Sequence, residues 1–276
     1  MNTIDISVII STYNSPDWLE KVLWSFNVQT FKNFEVVIAD DGSSEATKSR
    51  IGAITEQVNY PIQHVWHEDN GFQKTIILNK AITASKGSYL VFTDGDCIAR
   101  NDFLQVHVDR REDGYFLSGG YFKLPMNISL EISKEDIESQ DCFNINWLKN
   151  LGLKSSFKNN KITATGIKEK LLNALTPTTA TWNGHNSSGY KSDIVEANGF
   201  DERMQYGGED RELGERLFNM GIKAKQIRYS AICLHLDHAR GYVKPEMIEK
   251  NLAIRKTTKQ NKLTKTPYGI EKLATR

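Results

Sequence analysis

At 276 residues, 39% hydrophobic and 25% charged, the chain is long enough for one large or two small domains with a sizeable core, and its net charge of +1 gives no support for nucleic acid as main partner. Three widely spaced cysteines, Cys97, Cys142 and Cys233, argue against a disulfide framework and for a reduced, cytosolic setting. Neither a basic leader with an apolar stretch nor a window of about 18 apolar residues is present, so neither a signal peptide nor a membrane span is expected.

The first hundred residues alternate between two periodicities. Ile6 to Ile10 is a β-branched run that reads as a strand. Ser15-Pro16 then starts a helix, because Pro at the first helical position loses no needed donor, and Leu19, Val22, Leu23 and Phe26 follow at helical spacing. Phe34 to Ala39 is a second strand, ended by Asp40-Asp41-Gly42-Ser43, and a further helix leads to a third strand over Ile62 to Trp66. Ile76, Ile77, Ala81 and Ala84 mark another helix, stopped by Gly87, before a fourth strand over Tyr89 to Thr93. Strand and helix in this rhythm predict a doubly wound, mostly parallel α/β sheet with right-handed crossovers.

Past Asp96 the pattern loosens. Phe116 to Leu124 reads as a strand, 127–175 as short helices with a mobile connection, and Trp182 to Asp193 as a Gly/Asn/Ser-rich loop. Glu209 to Met220 reads as a helix ended by Gly221, and Ala231 to Leu236 as a strand. From Lys244 onward nine Lys/Arg face three Glu. The expected organisation is a first half over 1–124, a second half of the same globular unit over 125–242, and a basic tail over 243–276.

Several motifs sit where ligands bind open α/β sheets, at the carboxyl ends of strands. Thr12-Tyr13-Asn14 and Asp41 follow the first two strands; a Tyr ring can stack on a base, a carboxylate can accept from a base N–H or ribose hydroxyl, and the same residue types also make ordinary turns. In Asp69 to Lys74, the backbone around Gly71 and the Lys74 ammonium lie near a helix start, where a diphosphate can be met. Asp94-Gly95-Asp96 carries two carboxylates at a strand end with no Lys or Arg close in sequence before Arg100, which suits a hard divalent cation and hence a phosphate-bearing substrate. Glu209-Asp210 opens a helix after Gly207-Gly208 and offers either a catalytic base or mere dipole partners. His235 and His238 flank Asp237, a combination that can complete a metal site.

These residues carry a resemblance. Residues 7–14 (Ser-Val-Ile-Ile-Ser-Thr-Tyr-Asn), Gln29-Thr30-Phe31, residues 37–43 (Val-Ile-Ala-Asp-Asp-Gly-Ser) and Phe92 to Asp96 resemble the nucleotide-binding half of the inverting family-two glycosyltransferases, with a GT-A fold. Tyr206 to Leu217 resembles a C-terminal galactosyltransferase-type module whose Glu-Asp pair receives the acceptor. The resemblance implies that 1–124 binds a nucleoside diphosphate sugar and 125–242 the acceptor. Tyr13 and Asp41 would hold the base, usually uracil, and Asp94 the ribose. Asp96 would hold Mn²⁺ or Mg²⁺ together with His235, or alternatively His238. Asp210 would be the catalytic base and Glu209 a hydroxyl partner, with Trp182 and the loop carrying Asn186 as a floor for the sugar. The acceptor implied is a surface glycan or its lipid-linked precursor, and the basic tail offers peripheral contact with the inner face of the plasma membrane. A nucleotidyltransferase and a non-catalytic sugar-binding protein of the same fold stay open as alternatives, the first disfavoured because Ser11 to Pro16 lacks the expected Gly-rich basic loop.

Overall fold

A computed structural model describes residues 3–239 and 243–272. The four apolar runs form β1 (Ile6–Thr12), β2 (Phe34–Asp40), β3 (Ile62–Trp66) and β4 (Tyr89–Asp94), all paired in parallel. The chain then adds β5 (Cys97–Ala99), β6 (Tyr115–Ser118), β7 (Phe122–Lys123), β8 (Ser187–Tyr190), β9 (Lys223–Gln226) and β10 (Cys233–His235). The large sheet runs β3-β2-β1-β4-β8-β6-β9, with β8 antiparallel to both neighbours, and a small sheet runs β5-β10-β7. Both halves of the chain therefore share one sheet.

Helices of eight or more residues are α1 (Pro16–Asn27), α2 (Glu45–Thr55), α3 (Lys74–Ala84), α4 (Phe103–Arg110), α5 (Gly166–Leu175), α6 (Glu209–Asn219) and α7 (Pro245–Gln260). Strand alternation divides the core. Ile6, Val8 and Ile10 of β1 face the cluster that includes α1, whereas Ile9 faces the one that holds α3 and, through Leu213 and Leu217, α6.

Several expectations beyond Asp96 are corrected. The strand expected over 116–124 is two strands in different sheets, because the chain turns at Gly119-Gly120. A Cβ on Gly119 would lie 2.2 Å from the Asn186 side chain, so the corner accepts no larger residue. The loop expected over 182–193 contains β8 in the middle of the sheet. It lacks an apolar signal because Ser188 is used for hydrogen bonding, its hydroxyl lying 2.9 Å from the Tyr89 hydroxyl and 2.7 Å from His107 Nδ1. β9 carries Lys223 and Lys225 at the sheet margin and went unread for that reason. The strand expected over 231–236 is shorter, at Cys233–His235.

The basic segment after 243 is not a tail over its described length. α7 packs on α6, with Asn251 and Thr258 buried, and Asn198 then holds the chain down by donating to the carbonyls of Thr266 and Glu271, each at 2.8 Å. Cys97, Cys142 and Cys233 are buried free thiols. Among the described residues no helix is long and apolar enough to cross a membrane.

Candidate active site

The carboxyl ends of β1, β2 and β4 open onto a cavity of about 1030 Å³. Thr12, Tyr13, Asn14, Asp41, Gly71, Lys74, Asp94, Asp96, Glu209, Asp210, His235 and His238 all line it. Trp182 and Asn186 do not, and their expected role as a sugar floor is corrected. The Trp182 indole is fully buried, with ring centroids 5.4 Å from Phe92 and 5.5 Å from Phe116, so it is core. Asn186 is also fully buried, and its Nδ2 donates to the carbonyls of Gly120 at 2.9 Å and Ala231 at 3.0 Å, which ties the β6–β7 corner to the segment entering β10.

Asp94 is not free, contrary to its sequence surroundings. Lys74 begins α3 and donates to Asp94 Oδ1 at 2.7 Å, and the Ser11 hydroxyl donates to the same oxygen at 2.7 Å. Burial opposes ionisation of Asp94, but the Lys74 ammonium outweighs it and holds the carboxyl well below the usual range. Burial likewise opposes charge on Lys74, and Asp94 with Glu209 reverses that, so the ammonium stays protonated. Asp41 accepts from Gln73 N at 3.0 Å, and its other oxygen lies 2.8 Å from His67 Nε2. Its carboxyl is raised, chiefly by burial, with His67 opposing. Tyr13 stands half out of the surface and donates to Asp69 at 2.8 Å.

On the opposite side of Gly95 the fold assembles a possible metal-ligand set. Asp96, His235 and His238 each offer a ligand atom, all within 4.8 Å of one another. His235 comes from β10, which pairs antiparallel with β5, placing His235 opposite Cys97. Its Nδ1 lies 2.7 Å from the Leu236 carbonyl, and His238 Nδ1 lies 2.9 Å from the Ala239 carbonyl. Each Nδ1 must therefore carry a proton, and Nε2 turns to Asp96, at 3.7 Å for His235 and 2.9 Å for His238. One carboxylate with two imidazoles, oriented by backbone carbonyls, fits a Mn²⁺-type ion.

The acidic pair closes the cavity from the other side. Gly207 and Gly208 have φ of 109° and 90°, a left-handed geometry that favours glycine and sets Glu209 as the first residue of α6. Gly207 N donates to Glu209 Oε2 at 2.9 Å, and Gly184 N donates to Asp210 Oδ2 at 3.2 Å. Burial, then the neighbouring Asp210 charge, pushes the Glu209 carboxyl up to about 7. Asp210 is raised as well, mainly by burial. Two buried carboxyls whose pKa values are both raised suit acid–base work.

Gly184 and His185, from the loop expected as a sugar floor, do line the cavity, and α7 adds a part of the wall that sequence reasoning missed. His185 packs edge-on against Tyr121 with ring centroids 4.6 Å apart, and burial lowers its pKa to about 4, so it is neutral. α7 contributes Ile248, Leu252 and Arg255. The long gap between Asp210 and Arg255 hides that α7 folds back, so its part of the wall had no local signal.

A nucleotide-binding type of sheet edge beside a carboxylate–histidine cluster and a buried acidic pair defines an enzyme of the GT-A class. Residues 7–154, more than half of the chain, match the family model for glycosyl transferase family 2. The chain belongs to that family and is a glycosyltransferase by class. It is 26% identical to the uncharacterized glycosyltransferase YfnE of Bacillus subtilis (strain 168), over 90% of this chain and 68% of that protein. It is 27% identical to the validoxylamine A glucosyltransferase of Streptomyces hygroscopicus subsp. jinggangensis, over 82% of this chain but only 54% of that protein. Residues 1–349 of TarS from S. aureus, solved with UDP-GlcNAc, share the fold at a TM-score of 0.60 and 16% identity, covering 94% of this chain and 69% of that one. The family match ends before Glu209-Asp210, so the likeness of residues 206–217 to a galactosyltransferase-type module remains an expectation from sequence.

Proposed function

We propose that the protein transfers a sugar, with inversion, from a nucleoside diphosphate sugar to a hydroxyl of a glycan or lipid-linked glycan, using a divalent cation. The observation that carries this reading is the convergence of Asp94, Asp96, His235, His238, Glu209 and Asp210 on one cavity. UDP-GlcNAc in the TarS complex supports a nucleotide-sugar donor here, with uridine as the first candidate.

In this reading Tyr13 and Asp41 hold the base, with Thr12 and Asn14 beside them, and Asp94 accepts from the ribose while paired with Lys74. Gly71 and Lys74 face the diphosphate. Asp96, His235 and His238 would hold Mn²⁺ or Mg²⁺, which when bound offsets charge on the leaving diphosphate. Lys74 adds a fixed positive charge to the same end. Asp210 takes the proton of the acceptor hydroxyl as that oxygen attacks the anomeric carbon from the face opposite the diphosphate. A single displacement inverts the centre, and no carboxylate nucleophile is needed. Glu209, beside it in sequence, bonds a sugar hydroxyl.

A screen of UDP-, GDP- and dTDP-sugars for donor turnover with Mn²⁺, read by NMR of the product anomer, tests the proposal. Turnover of one donor with inverted configuration and loss in chelator is expected. Retained configuration would remove inversion, undiminished turnover in chelator would remove the ion, and no turnover or thermal stabilisation by any donor would overturn the reading.

A further inference from the structure

Helix α5 is built the wrong way round for a helix of a globular core. Globular helices turn an apolar stripe inward, yet none of the ten residues of α5 is buried. Ile167, Leu171 and Leu175, spaced four apart and so along one face, are 78%, 53% and 75% exposed. The polar face is the one fastened to the body. Asn173 Nδ2 donates to Ser230 Oγ at 2.8 Å, its Oδ1 accepts from Tyr229 N at 2.9 Å, and Glu169 accepts from the Ser230 hydroxyl.

We propose that α5, with the turn that precedes it, docks the protein on an anionic lipid surface. The chemistry of the exposed face selects that occupant. Lys168 and Lys170 flank the apolar stripe on its two sides, and exposed Lys154 and Lys158 stand beside Phe157, which is 70% exposed. The one carboxylate between 154 and 175, Glu169, points inward, 3.6 Å from Arg110. The outward side chains of this segment are therefore apolar and cationic, the pattern of helices that lie in a membrane interface. A docked protein would present its cavity near that surface, since Lys161 of the same segment donates to the Tyr121 carbonyl at 2.6 Å and the Tyr121 ring lines the cavity. In α7, by contrast, Arg255 and Lys259 are paired with Glu215 at 2.5 and 3.2 Å, and Ile248 and Leu252 line the cavity.

The inference deepens the reading of a lipid-linked acceptor, but its test uses no donor or acceptor, so the two stand or fall separately. Full-length protein is sedimented with vesicles of phosphatidylglycerol and phosphatidylcholine, or of phosphatidylcholine alone, at low and high salt. At low salt most of the protein is expected to pellet with the anionic vesicles, with at least a tenfold weaker association in high salt and on neutral vesicles. The triple variant Ile167→Ser/Leu171→Ser/Leu175→Ser and the charge variant Lys168→Glu/Lys170→Glu are each expected to stay in the supernatant while keeping the wild-type melting temperature. Wild type remaining in the supernatant at low salt would overturn the proposal, as would pelleting of the triple variant. Light scattering that finds a wild-type dimer which the triple variant breaks, without vesicle binding, would assign the face to a second copy instead.

Discussion

The two sides of the cavity are built on different principles. On the strand-edge side Thr12 and Asp94 are the last residues of β1 and β4, and Asp41 directly follows β2. Their positions are set by backbone pairing: β1 registers Ile10 against Ile38 on one side and Thr93 on the other. On the far side, Glu209 and Asp210 are positioned by side chains that grip the backbone of distant segments. Asn251 of α7 donates to the carbonyls of Gln205 at 2.8 Å and Gly207 at 3.1 Å, just ahead of the acidic pair. Buried Arg216 bonds Glu212 at 2.7 Å and the carbonyls of Gly199, at 2.7 Å, and Ala197, and Thr258 closes the set on Glu212 at 2.8 Å. A parallel sheet edge tolerates change in many residues, whereas a buried polar network fails when one member leaves a partner unpaired.

The comparison breaks most readily at Asp210. Asp210→Asn retains the acceptor oxygen for Gly184 N but cannot take a proton at neutral pH. A fall in kcat of about 10²–10⁴ is expected with donor affinity unchanged by calorimetry. A variant that loses donor affinity and keeps turnover of bound donor would move Asp210 from base to binding group.

Next in size is the network itself. Arg216→Met removes the buried cation and strands Glu212, for an expected loss of about 3–5 kcal/mol in chemical denaturation. The double variant Glu212→Leu/Arg216→Met should recover most of that loss, because both charges go together. If the single variant is as stable as wild type, side-chain gripping does not hold the far side. On the strand-edge side, Asp96→Ala leaves the sheet pairing intact, so the melting temperature should hold while kcat/KM at fixed Mn²⁺ drops by at least about 10². Wild-type activity in that variant would take the carboxylate–histidine cluster out of the reaction.

The same contrast explains what could be read before folding. Strand–helix alternation and the ends of β1, β2 and β4 were legible because apolar periodicity and strand-end chemistry are local, whereas Asp96 was joined to His235, or alternatively His238, only through the family resemblance. The Lys74–Asp94 pair was not, since a crossover brings together residues twenty apart. Nor were β8 and α7, whose Ser188 and Asn251 carry information only as partners of His107 and Gly207. Trp182 misled for the complementary reason. An indole beside a Gly/Asn loop looks like a sugar platform until the sheet above it is known, and here Phe92 and Phe116 enclose it.

The smallest effect is also the sharpest test of the far side. Glu209 has its folded-state pKa raised from 4.5 to about 7. The folded protein therefore binds a proton more tightly than the unfolded chain, and this group's unfavourable contribution grows as pH rises between those values. Below about 4.5 the contribution is absent, and above 7 it is complete. Glu209→Gln keeps an oxygen for Gly207 N and removes the charge. It should leave stability nearly unchanged at the acid end of the window and raise it at pH 8, by an amount on the order of 1–3 kcal/mol. Denaturation at the two pH values reads the difference directly. An equal gain at both would show that Glu209 does not hold the proton. Placing the same substitution in Asp210→Asn then separates the two causes: with the Asp210 charge gone only burial remains, so the gain at pH 8 should shrink, and a gain of undiminished size would mean that the two carboxylates do not sense each other.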